Sequence, residues 1–183
     1  GKTQKPDQAR EKVVYSTSWT TDTDPVQCWH PQRCMKHGFA VVREHDVYQG
    51  KESVGLGGTH YQRTLYNYED PRIDVHGRGF LGFGTVRTWE VNRLAETITT
   101  YDNETSDLGY YPGAHRPKRV LQAVALSGGK AHVTLANFTY ELRLLNAANY
   151  AVFPTGWSSS EWEEPVTVDL DESAKIHITG IDG

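Results

Sequence analysis

The sequence predicts an all-β fold, in which antiparallel hairpins form a twisted sheet or a sandwich. Three observations carry this expectation. The chain holds ten Tyr, five Trp and five Phe, several in Thr-rich segments, and such side chains suit a pleated, half-buried surface. It holds seventeen Gly, which serve tight turns. Several segments alternate apolar and polar residues, with turn signals between them at short intervals, the pattern of antiparallel β structure. No linker divides the 183 residues, so residues 1–183 read as a single β-rich domain. A chain of this mass buries about 70% of its unfolded surface, enough for a core of its own.

Residues 1–12 are polar and read as a flexible end. "VVYSTSW" (13–19) alternates weakly and predicts a first strand, followed by a turn at 20–27 and a compact loop, "CWHPQRCMKHG", at 28–38. "FAVVREHDVY" (39–48) and "HYQRTLYNYED" (60–70) predict a hairpin joined by the Gly-rich segment 49–59. On the second of these strands Tyr61, Arg63, Leu65 and Asn67 share one face, and His60, Gln62, Thr64, Tyr66 and Tyr68 the other. "TVRTWEV" (85–91) and "ETITTYDN" (96–103) predict a second hairpin, with a short helix over 91–98 as the competing reading. "RVLQAVAL" (119–126), the turn "SGGK" and "AHVTLANFTYELRLL" (131–145) predict a third. Shorter strands are expected at 149–155, 164–170 and 175–181.

Composition narrows the function classes. The net charge of −4 and pI near 6.1 argue against nucleic-acid binding, which usually leaves a basic footprint. No apolar run approaches the roughly eighteen residues of a membrane-spanning helix. The polar N-terminus lacks the apolar region of a signal peptide and reads as the start of an excised piece, with Gly1 as a cloning scar. No cofactor is expected.

"GRGFLGFG" (77–84) begins with G-x-G-x-x-G, and Asp102 lies where a ribose-binding acid would fall. A dinucleotide site also needs a strand before the glycines and a helix after them. "EDPRIDVH" before Gly77 is too polar for a buried parallel strand, and Thr85, Val86 and Thr88 are a poor start for a helix. The expected structure is a glycine-aromatic corner. At least one of Gly77, Gly79, Gly82 and Gly84 should take a positive φ, leaving space beside Phe80 and Phe83.

Cys28, His30, Cys34 and His37 lie within ten residues. A local Cys28–Cys34 disulfide is the simplest account in an oxidising compartment. Free thiols and a metal remain the alternatives, although the spacing matches no common zinc pairing. No metal site is assigned. Neither G-x-S-x-G nor H-E-x-x-H occurs, and "LSGGKA" lacks parts of a phosphate-binding loop. No catalytic residue is assigned and the chain reads as a non-enzyme. An enzyme would need an acid such as Glu161 or Asp169 within hydrogen-bond reach of a His. The group Glu161, Trp162, Glu163 and Glu164 reads as a solvated acidic turn with one packed indole, and "HRPKR" (115–119) as a solvated basic turn. Trp157, Trp162 and Tyr110-Tyr111 are candidate stacking platforms for a carbohydrate. Asn103-Glu-Thr105 and Asn137-Phe-Thr139 match the glycosylation sequon, which a bacterial chain would not use.

One long block is more specific. "YNYEDPRIDVHGRGFLGFGTVRTWEV", "TTYDN" and "YYPGAHRPKRV" resemble a pattern of bacterial Rhs-type and insecticidal toxin-complex B proteins. There a Tyr-rich strand leads to an acidic-basic turn, then "GRGFLGF", a strand ending in T-x-Y-D, and a Tyr-Pro segment. Tyr66, Tyr68, Gly77, Gly79, Phe80, Leu81, Gly82, Phe83, Tyr101, Asp102, Tyr111, Pro112 and Pro117 occupy the matching places. The Cys-flanked loop before the block also looks like that of some relatives. His115 stands where relatives often place glycine, and no array of YD repeats follows. The resemblance covers residues 28–120. It implies a non-catalytic segment of a secreted or cell-surface bacterial protein, part of a β shell around a C-terminal toxin. Its partners would be neighbouring segments of the parent protein and the enclosed toxin domain, with no nucleic acid and no membrane span. The rival reading is a carbohydrate- or protein-binding β module.

Overall fold

The computed structural model describes residues 11–16, 28–35, 40–49, 61–146, 149–170 and 176–179. They form the expected antiparallel β structure, built as a nine-stranded open sheet and a separate two-stranded ribbon. The strands are β1 (Glu11–Ser16), β2 (Gln32–Cys34), β3 (Val41–Tyr48), β4 (Tyr61–Asp74), β5 (Gly79–Glu90), β6 (Ala95–Tyr101), β7 (Pro117–Leu126), β8 (Lys130–Leu144), β9 (Tyr150–Pro165), β10 (Thr167–Leu170) and β11 (Ile176–Thr179). The sheet runs β1-β3-β4-β5-β6-β7-β8-β9, with β2 added to β4, while β10 and β11 make the ribbon. From β3 to β9 each strand pairs with the next in sequence, as short connections favour.

The predicted hairpins are present, with three corrections. The expected loop at 28–38 contains β2, paired antiparallel to the end of β4. "EDPRID", judged too polar for a parallel strand, completes an antiparallel one. β4 runs through Pro71 to Asp74, with Arg72 and Asp74 buried. Pro71 is tolerated because a strand residue's N–H and C=O point the same way, and Pro71 O accepts from Met35 N just beyond β2. Its missing donor thus faces the end of a three-residue strand. The predicted acidic turn at 161–164 is instead the interior of β9, sixteen residues long. The competing helix over 91–98 is reduced to one 3-10 turn at Val91–Arg93, closed by Leu94 at φ 48°. The Gly-rich connection at 50–59 and residues 1–10 lie outside the described residues.

Register divides the side chains between two faces. Leu65 opposes Trp89, Trp89 opposes Glu96, Glu96 opposes Ala123, Ala123 opposes Val133, and Val133 opposes Trp162. This face carries two apolar clusters. Leu121, Ala123, Ala131 and Val133 are buried together, with Ile98, Leu135, Trp162 and Val166 against them. Leu65 and Trp89 are buried with Val91 and Leu94. The other face carries Tyr66, Tyr68, Val86, Thr88, Thr97, Thr99, Val120, Gln122 and Phe138, all only partly buried. Among the described residues eleven apolar side chains are buried and eleven large ones are exposed, so the sheet lacks the second layer that a sandwich would supply. No helix among the described residues is long and apolar enough to cross a membrane.

Candidate functional site: a glycine corner around a buried arginine

The family-like residues converge at one place, where the β4–β5 hairpin meets the loop 102–116. Gly77, Gly79 and Gly82 have φ of 102°, 75° and 93°. Gly77 serves the turn between the strands, and Gly79 opens β5. Gly82 lies at a bulge. Arg72 pairs with Gly82 while Ile73 pairs with Phe80, leaving Leu81 as the extra residue. A bulge bends its strand and re-aims a side chain. Leu81 is buried at 3% exposure, in a cluster with Tyr111 and Ala114 of the covering loop.

Two glycines are required by space rather than by φ. A Cβ on Gly84 would lie 2.7 Å from Asp70 Oδ2, and one on Gly113 would lie 2.7 Å from Asp102 O. Neither distance is compatible with a side chain, so each glycine lets another chain segment come close. A Cβ on Gly82 would stand 3.1 Å from His115 Nδ1. The His115 ring reaches Phe80 O through Nε2 at 3.1 Å. His115, itself at φ 60°, therefore ties the "HRPKR" segment to the corner, while it and Lys118 stay exposed as a solvated turn requires. Tyr66, Tyr68, Phe83, Phe80 and His115 form a run of neighbouring rings, with successive centroids 6.4, 4.8, 5.4 and 6.1 Å apart.

Under these rings lies a polar network that motif reasoning missed. Arg72, its side chain 4% exposed, donates from Nε to both oxygens of Asp70 at 3.0 Å. It donates from Nη1 to Gln32 Oε1 at 2.8 Å and from Nη2 to the Glu104 carboxylate. Gln32 Nε2 donates onward to Glu104 O at 2.7 Å. Asn103, 1% exposed, donates from Nδ2 to Asp70 O at 3.0 Å and to Gly82 O at 3.2 Å. A guanidinium out of water needs partners for its donors; β4, β2 and the loop 102–116 supply them through Asp70, Gln32 and Glu104. The sequon at Asn103 is thereby spent on structure, whereas Asn137 is exposed on β8.

The acids of the corner titrate in opposite directions. Burial pushes the Asp70 carboxyl up, against the pull of Arg72. For Asp102, burial also pushes up, but it is outweighed. The backbone N–H groups of Thr105 and Glu104, the Thr105 hydroxyl and Lys118 hold this carboxyl below its ordinary value. Asp102 Oδ1 accepts from Thr105 N at 2.9 Å, which folds the loop back after β6. Asp74, buried, accepts from His76 N at 2.7 Å. The Tyr111 hydroxyl, which also bonds to Asp74, belongs to a side chain 7% exposed. Tyr101 ends β6, half buried, opposite Pro117. Tyr110 stacks on Tyr150 of β9 at 4.0 Å, under the Arg78 guanidinium at 4.4 Å.

Cys28 and Cys34 form a disulfide, with Cα atoms 5.4 Å apart. The sulfurs are thus unavailable as zinc ligands in this state, and among the described residues no three His, Cys, Asp or Glu are grouped to hold a metal ion. His37 lies outside the described residues.

Of the four candidate stacking rings, Trp157, Trp162 and Tyr111 do not share a surface. Trp157 is 73% exposed and opposes Phe138 on one face. Trp162 opposes Val133 on the other face and packs on the apolar cluster, donating to Glu164 at 3.0 Å. Tyr111 is buried at the corner. Glu161 approaches His132 at 3.9 Å, both exposed, which is too long for a hydrogen bond. The chemistry of the corner is cross-linking of backbone segments. No protein-family model, curated protein or solved structure matches the chain.

Proposed function

We propose that the chain is a non-catalytic structural segment of a secreted Rhs- or toxin-complex-like protein, one stretch of a β shell that encloses a toxin domain. The observation that carries this reading is the open sheet. Among the described residues β9 runs for sixteen residues with β8 as its one partner in the sheet, and β1 ends the other side. Long edges with unpaired backbone groups are usually shielded. β9 has Pro154 and, opposite Thr139–Tyr140 of β8, a bulge at Thr155 to blunt it, yet it exposes Tyr150, Phe153 and Trp157. A wall segment would present such an edge for its neighbours in the parent chain to complete. The motif residues agree in kind, since their side chains and glycines join β4, β5 and the covering loop.

Amide hydrogen exchange on β9 tests the reading. In the isolated chain, the β9 amides that point away from β8 should exchange freely. In a longer parent fragment they should become protected. If they are already protected in a monomeric isolated chain, the edge is complete and the shell reading falls. The exposed Trp157 supports one alternative, a carbohydrate- or protein-binding β module. A glycan array with no hits, together with Trp157 fluorescence unmoved by sugars, removes the carbohydrate form of it.

A further inference from the structure

The disulfide and the buried arginine are joined through one side chain. Cys28 and Cys34 close a loop whose interior residue Gln32 is 8% exposed. Gln32 Oε1 accepts from Arg72, and its Nε2 reaches Glu104 O at 2.7 Å and Asn103 O at 3.4 Å. Gln32 is therefore one link between β4 and the start of loop 102–116, beside the Asn103 Nδ2 bond to Asp70 O and the Arg72–Glu104 pair. The segment that presents it is small. β2 has three residues and, among the described residues, pairs with β4 alone. Outside that ladder, Gln32 N bonds Trp29 O, Met35 N bonds Pro71 O and Val75 N bonds Pro31 O. A three-residue strand has little hold of its own, so the covalent closure restricts the loop when it is open. The sheet does not depend on it, because β4 pairs independently with β3 and β5. Both cysteines are only half buried, and Trp29 between them is 74% exposed, so a small thiol can reach the bond.

We infer that the Cys28–Cys34 disulfide is a redox-sensitive latch on the corner: closed, it seats Gln32 between Arg72 and loop 102–116, and opened by a dithiol it releases that loop while the sheet stays folded. One dithiol molecule supplies the two electrons and two protons. The S–S bond breaks to give two cysteine thiols, and the reductant closes to its own cyclic disulfide. Arg72 then loses its Gln32 acceptor, and the carbonyls of residues 103 and 104 lose their donor. The latch stands apart from the shell reading and would act in any parent protein that meets both oxidising and reducing surroundings.

The test is hydrogen exchange read by mass spectrometry on the full chain, oxidised and then reduced with dithiothreitol and trapped with iodoacetamide. Reduction should speed exchange at least about tenfold in peptides covering 28–35 and 102–106, and leave 119–135 unchanged. Gln32→Ala, with the disulfide intact, should speed exchange in 102–106 by a similar factor. Unchanged exchange in 102–106 on reduction overturns the latch. So does faster exchange across 119–135 as well, which would make the bond a general staple of the fold. An oxidised Gln32→Ala chain with 102–106 as protected as the parent overturns it too, because the link would then not run through Gln32.

Discussion

At the seam between β7 and β8, Ala131 and Val133 are 0% exposed and pack on Leu121, Ala123 and the flank of Trp162. At the corner, Asn103, Arg72 and Asp74 are buried nearly as deeply, beside the apolar Leu81. One sheet thus contains two kinds of interior. The seam is held by hydrocarbon removed from water, which is non-directional and tolerates substitutions of similar volume. The corner is held by polar groups that are favourable only while every partner is in place. Two consequences follow. Damage at the seam should grow with the volume removed, and damage at the corner should depend on which partner is left behind.

The largest effect is expected at Arg72. Arg72→Met leaves Asp70, whose side chain is 19% exposed, without its cation, while Glu104, 60% exposed, can return to water. Breaking a buried pair from one side typically costs 3–5 kcal/mol, and the freedom of Glu104 places this variant near the bottom of that range, at about 3 kcal/mol. Urea midpoints of the purified chain measure it. Adding Asp70→Asn to Arg72→Met should recover part of the loss, since Asn also tolerates the φ of 53° at this position. If the double variant is no better than the single one, the cost lies in packing and the contrast with the seam fails.

At the seam itself, Val133→Ala removes two methyl groups from a fully buried site and should cost about 2 kcal/mol by transfer and cavity terms together. Val133→Thr keeps the shape and introduces a hydroxyl beside Ala123 and Trp162, its neighbours on β7 and β9. It should cost as much or more. A tolerated threonine would mean that water already reaches the seam.

These two interiors were not equally legible. The seam follows from alternation: "RVLQAVAL" and "AHVTLANF" place Leu121, Ala123, Val133 and Leu135 on one face by period two alone. The corner's glycines were also readable, since G-x-G-x-x-G without a following helix leaves a bend as its physical meaning. Arg72 was hidden because burial of a cation depends on partners distant in sequence. Gln32 is 40 residues away and Glu104 is 32, and no local pattern announces either. The end of β4 was hidden for a related reason. Pro71 looks like a strand breaker until β2 shows which side of the strand it faces. β9 was underestimated because three serines and three glutamates conceal an edge strand, where polar side chains belong.

The comparison extends to acid. The Asp102 carboxyl is held below 3.8 when folded, so the unfolded chain takes up its proton first as pH falls. Its stabilising contribution is complete above about pH 4 and is lost as pH drops through the folded value. Asp70, raised mainly by burial, works in the opposite sense, since protonation relieves its desolvation before the unfolded chain reaches its own value. Asp102→Asn should therefore flatten the fall in stability below about pH 4 while keeping the acceptor oxygen for Thr105. Urea midpoints across that window give the result. An unchanged slope would place the acid sensitivity of the chain outside the corner.

The smallest effect separates the seam from the surface beside it. Trp157 and Trp162 lie five residues apart on β9 but point to opposite faces, because Trp157 opposes Phe138 and Trp162 opposes Val133. Trp162 belongs to the seam, and Trp162→Ser should cost about 2 kcal/mol or more. Trp157, 73% exposed, has little to lose in the isolated chain. Trp157→Ser should move the urea midpoint by less than about 0.5 kcal/mol. A single exposed indole needs no explanation of its own, but this one stands on a free edge beside the bulge, with Phe153 and Tyr150 further along the strand also exposed. The same substitution in a longer parent fragment should therefore cost several times more than in the isolated chain, because only there would the ring be covered. Equal effects in both would mean that nothing in such a fragment packs on this end of β9, and would count against the shell reading proposed above.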